Sequence, residues 1–141
     1  MDTRKFLAGT VVGGIVLYVT GYLIFTMALA GFYAENAGAA TGVGRPAELM
    51  WAVVLGSLAY AALICYAMGA RFATGMTGGA KVGAVVGFLM WFAVDFILYG
   101  VQDVANLTRT IVDPLVEIVH GGIGGAAIGF VMERMKPASS A

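Results

Sequence analysis

Charge is scarce in this sequence. Eight Lys and Arg balance eight Asp and Glu, and together they make up 11% of 141 residues, where a soluble domain usually carries about 25%. No net charge remains to draw the chain to nucleic acid, which excludes that class of partner. Cysteine occurs once, at Cys65, so there is no disulfide framework. Histidine also occurs once, at His120. Haem held by two histidines is thereby excluded. A di-iron site falls as well, because Glu117-x-x-His120 has the right spacing but has no second motif of its kind.

What the chain has in excess is apolar side chain, 60% of the residues. A soluble protein of this size has too much surface to hide that much. Crossing a bilayer takes about 20 mostly apolar residues, and four runs qualify: 6–29, 50–69, 82–101 and 115–132. They are continuous rather than alternating, so they satisfy their backbone as helices and not as a barrel. The expected fold is all-α, a single transmembrane domain over 1–141 built as a four-helix bundle in the lipid bilayer. Pro46 and Pro114 fall where a first helical turn would begin, with Asp113 as N-cap of the last span. Gly78-Gly79 closes the connection between the second and third spans. The first run follows Arg4-Lys5 as a secretory signal would, but it exceeds the roughly 7–15 apolar residues of a signal core and reads as a retained helix.

Orientation follows from Lys and Arg. Arg4, Lys5, Arg71, Lys81, Arg134 and Lys136 lie on the side of both termini, and Arg45 and Arg109 on the other. Both termini are therefore expected in the cytoplasm. Acids gather on the opposite side: Glu35, Glu48, Asp103, Asp113 and Glu117. Trp51, Tyr33 and Tyr99 read there as an interfacial aromatic belt.

Twenty-one glycines call for a packing role. Gly79, Gly83 and Gly87 recur every four residues, as do Gly121, Gly125 and Gly129. Small residues at that spacing let helix backbones approach closely. Gly83 and Gly87 are expected to face Gly125 and Gly129 in a seam between spans three and four, with Gly9 and Gly13 of span one at the same depth. A homo-oligomer interface is the competing reading. A phosphate-binding loop is not, because Gly121–Gly125 lies in an apolar span and no GK[ST] follows.

Asp95 stands inside an apolar run, where a carboxylate costs at least ~2.5–3.5 kcal/mol and has to face protein or water. It lies about 9 Å below the end of its span at 1.5 Å per residue, the same depth as His120 on the antiparallel neighbour. Asp113, Glu117 and His120 share one helical face. Tyr99, Ser57, Tyr60, Tyr18, Tyr22 and Thr26 bring polar groups to that level from the other spans. The pattern describes an outward-facing polar pocket with Asp95, Glu117 and His120 at its base, and Asp95 and His120 as a coupled pair. Plainer roles exist for each: Asp95 as a register-fixing hydrogen-bond partner, Glu117 as an interfacial charge at a helix start, His120 as a satisfied interior side chain. A single metal on Asp95, Glu117 and His120 is the sharpest alternative. Cys65 reads as a buried thiol, the aromatics of 88–96 as packing, and Asn106-Leu-Thr108 as a glycosylation sequon.

Gly-Tyr-Leu-Ile-Phe at 21–25, Gly-Ala-Lys-Val-Gly-Ala at 79–84, Val-Asp-Pro-Leu at 112–115 and Gly-Gly-Ala-Ala-Ile-Gly at 124–129 resemble the small four-helix bacterial membrane proteins grouped in domain families of unknown function. The resemblance covers most of the chain and implies a multi-pass protein of the inner membrane, with no activity or cofactor to carry over. Three functions fit the residues: a pocket that binds or transports a proton, cation or small polar solute; a non-catalytic subunit or assembly factor of a larger membrane complex; and a metal-dependent membrane enzyme. No cofactor is expected. A homo-oligomer or a membrane-complex partner is expected beside lipid.

Overall fold

The computed structural model describes residues 2–71 and 73–135; Lys136, counted above for orientation, lies outside them. Among the described residues the fold is all-α, without a strand. Helix α1 (Thr3–Gly21) runs on into a π-helical segment (Tyr22–Ala28), followed by the short α2 (Ala30–Glu35), then α3 (Met50–Ala70), α4 (Gly75–Val101) and α5 (Leu107–Arg134). Four helices among the described residues are long and apolar enough to cross a membrane: α1 with its π segment, α3, α4 and α5.

Two helices start earlier than their sequence suggests. Gly78-Gly79 does not end a connection, since α4 begins at Gly75. Pro114 and Asp113 do not open α5 either. The Asn106 side chain accepts from the Arg109 N–H, 3.0 Å, and caps a helix that starts at Leu107 and carries Pro114 in its interior. Asn106 also donates to Asn36 Oδ1, 3.0 Å, so the side chain read as a sequon is a structural cap. Pro46 lies in the connection ahead of α3, outside the helix.

The helices pair as α4 on α5 most extensively, then α1 on α3 and on α5, with α3 only lightly against α4. Glycine sets the α4–α5 distance. A Cβ at Gly79 would overlap the Gly125 carbonyl oxygen, one at Gly83 that of Gly121, and one at Gly87 that of Glu117. The seam thus lies within one chain, with Gly83 between Gly121 and Gly125, and Gly129 against Gly75. Gly9 and Gly13 do the same for α1, against Cys65, Ala61 and Ile128.

Burial divides the bundle. The half holding the termini and the α3–α4 connection contains the core: Leu17, Tyr60, Ala61, Ile64, Cys65, Met68, Val82 and Ile128. In the other half, the loop half, no residue of the π segment is buried, nor any of 50–59 or 88–101. Helix α5 is the exception, with Thr110, Pro114, Glu117 and His120 buried along its length. The two long connections are tied over this end: Ala40 N–H donates to the Asp103 carbonyl, 2.8 Å, and Asn106 N–H to that of Asn36, 3.1 Å.

Candidate functional site: a cavity in the loop half

The helices separate in the loop half around a cavity of ≈ 860 Å³. It extends from Glu48 and Arg109 near the connections down to Leu17, Tyr60 and Leu63 at mid-bundle. Its polar side is one face of α5, where Arg109, Asp113, Glu117 and His120 follow at intervals of four, four and three residues. Its other walls are mainly apolar and aromatic, from Phe25, Met50, Val53, Met90 and Trp91 among others.

The floor is a closed hydrogen-bond network. His120 Nε2 lies 2.9 Å from the Leu17 carbonyl oxygen, which can only accept, so Nε2 carries a proton. His120 Nδ1 lies 3.0 Å from Glu117 Oε2. With Nε2 protonated, that second contact holds one shared proton, as imidazolium and carboxylate or as imidazole and carboxylic acid, and the pair is neutral in either form. Tyr60 donates its hydroxyl to the same Oε2, 3.1 Å. Glu117 is 2% exposed and His120 6%. Satisfying these groups against one another is what permits their burial.

Local sequence shapes the floor. Gly21 lies against the His120 ring, where a Cβ would stand 3.4 Å from Nε2, in ordinary contact. Thr20 Oγ1 donates to the Val16 carbonyl, 2.7 Å, while His120 claims that of Leu17. Side chains that take helix carbonyls loosen the next turn, and the π segment begins here, ending with Leu29 N–H donating five residues back to Ile24, 2.8 Å. Phe25 then packs edge-on against His120, ring centroids 5.4 Å apart.

The mouth is built by α2. The Tyr33 hydroxyl donates to Asp113 Oδ1, and Arg109 lies over the Tyr33 ring, 4.7 Å from its centroid. Burial, and then the bond to Asp113, push the Tyr33 hydroxyl well above its usual range. Tyr33 is therefore a wall of the cavity.

No protein-family model, curated protein or solved structure matches the chain.

Of the residues singled out from sequence, Tyr22, Ser57, Tyr60, Glu117 and His120 line the cavity together, with Tyr18 and Thr26. Asp95 and Tyr99 are not among its lining residues. The expected Asp95–His120 pair is not the one formed, because Glu117 and Leu17 occupy both ring nitrogens of His120. Asp95 instead lies near Asp113 and Arg109, and its Oδ2 is buried without a hydrogen-bond partner among the described residues. Glu117 is no interfacial charge at a helix start, since it sits ten residues into α5 and is buried. Ser57 donates back to the Val53 carbonyl of its own helix, 3.0 Å. No group of three His, Cys, Asp or Glu is arranged to hold a metal ion among the described residues. Sequence reading passed over Arg109, Glu48, Trp91 and Gly21 as site residues. The i, i+4 step from Arg109 to Asp113 was a signal for the first, and the other three are assembled by long-range packing.

Proposed function

We propose that the chain crosses the bacterial inner membrane four times with both termini in the cytoplasm, and that the cavity receives a small solute, cation or proton from the outer side for binding or passage. The observation that carries this reading is the ≈ 860 Å³ cavity floored by the buried Glu117–His120 pair. Its volume is within the roughly 300–1,000 Å³ of small-molecule sites, and ionisable groups buried at such depth default to a functional role. The excess of Lys and Arg on the side of both termini supports the orientation.

Thiol labelling in intact cells tests this. With Cys65→Ala as background, a cysteine replacing Thr26 should react with a membrane-impermeant maleimide added outside. Reaction only after the cells are opened would contradict the orientation. The second reading, a subunit of a larger complex, draws on the loop half of α4, where no residue of 88–101 is buried by the chain itself. Purification in mild detergent with a stoichiometric foreign protein would favour it.

A further inference from the structure

From the geometry we infer that the occupant of the cavity is an organic cation, a positively charged head on a ring-bearing apolar body, received by the carboxylates of Asp113 and Glu117. This rests on the reading of the cavity as a solute site and narrows it to one class.

Glu117 keeps an unused acceptor. Both hydrogen bonds to Glu117 fall on Oε2, and the one to Asp113 falls on Oδ1. Glu117 Oε1 therefore receives no side-chain hydrogen bond among the described residues, and Asp113, with the Asp95 carboxyl beside it, stands one helical turn away on the face of α5 that lines the cavity. Glu48 adds a carboxylate at the mouth. The cationic groups of the site already have partners, His120 in Glu117 itself. His120 has both ring nitrogens bonded, and Arg109 lies over Tyr33, about 12 Å along α5 from Glu117 at 1.5 Å per residue.

The walls then select among cations. Phe25, Tyr60 and Trp91 line the cavity, and aromatic faces attract cations electrostatically. A hard metal ion takes six or more oxygen ligands, and no three-residue cluster offers them among the described residues. A neutral apolar molecule would leave Glu117 Oε1 buried and unpaired. An anion would meet Asp113 near the mouth and Glu117 at the floor.

Two ions of one shape and opposite charge test the inference: tetraphenylphosphonium and tetraphenylborate. Trp51 is 65% exposed, and replacing it (Trp51→Phe) leaves Trp91 in the cavity wall as the reporter. Binding is read as saturable quenching of Trp91 in the purified full-length protein, against detergent micelles alone. Tetraphenylphosphonium should bind at least about tenfold more tightly than tetraphenylborate, and Asp113→Asn should weaken it by about tenfold. Glu117→Gln is measured in parallel, so that one unstable variant does not leave the charge dependence unread. Equal or tighter binding of the borate overturns the inference, as does phosphonium binding unchanged in both variants. The uncharged probe N-phenyl-1-naphthylamine separates the two levels: if it binds and the phosphonium does not, the cavity is a solute site of another class. If none of the three binds, the reading of the cavity fails with the inference.

Discussion

The two halves of this bundle are made from similarly apolar helices and differ in what stands at the contacts. In the terminal half, glycines of α4 and α5 meet so closely that carbonyl oxygens occupy the space of absent Cβ atoms, and Leu17, Ile64, Met68 and Ile128 fill the remainder. In the loop half Tyr22, Phe25, Met90 and Trp91 line the space between the helices instead. Large side chains hold the helices apart and tied connections keep the ends together, so space remains between them. The cavity opens where the glycine stripe between α4 and α5 ends, at Gly87.

This contrast can be broken from the sealed side with the largest effect. Gly83→Val puts a branched side chain onto the Gly121 carbonyl, which backbone cannot evade by a rotamer change. A loss of about 3 kcal/mol or more is expected in reversible unfolding in detergent, whereas tolerance of valine would show that the seam is looser than described.

At the floor, where the halves meet, the buried pair predicts a smaller and more specific effect. Glu117→Ala leaves His120 Nδ1 and the Tyr60 hydroxyl without their acceptor, at a cost of about 2–3 kcal/mol. Combined with His120→Ala, the double change should cost about 1–2 kcal/mol less than the sum. The same cycle between Asp95→Asn and His120→Ala should be additive within about 0.5 kcal/mol. Coupling of Asp95 rather than Glu117 to His120 would refute the network. The open side yields the smallest effect, and in the opposite direction. Nothing stands within 4 Å of a Cβ at Gly56, so Gly56→Ala should stabilise α3 by about 0.5–1 kcal/mol, measured in the same unfolding assay.

The sequence made the four apolar helices legible because hydropathy is additive along a run, and it exposed one face of the site because Asp113, Glu117 and His120 share a helix. It misplaced helix starts where residues that break soluble helices serve another purpose. Gly78 and Gly79 read as a break and instead begin the seam with α5; Pro114 read as an opening, although Asn106 had already capped the helix. Equal depth suggested Asp95 as the partner of His120, but depth says nothing of rotation about the helix axis, and Glu117 one turn away on α5 was nearer. Tyr33 was missed for a different reason. Its place depends on α2, which is too short to announce itself and is held by the Asn36–Asn106 bonds between connections 70 residues apart.

The division into a sealed and an open half is tested most directly by two cysteines one turn apart on α3. Ser57 lines the cavity, and Ala61 is 0% exposed in the core. In purified protein, with Cys65 buried as an unreactive internal reference, Ser57→Cys should react with a small polar maleimide on the order of a hundredfold faster than Ala61→Cys. Similar rates at the two positions would contradict the division, and with it the cavity.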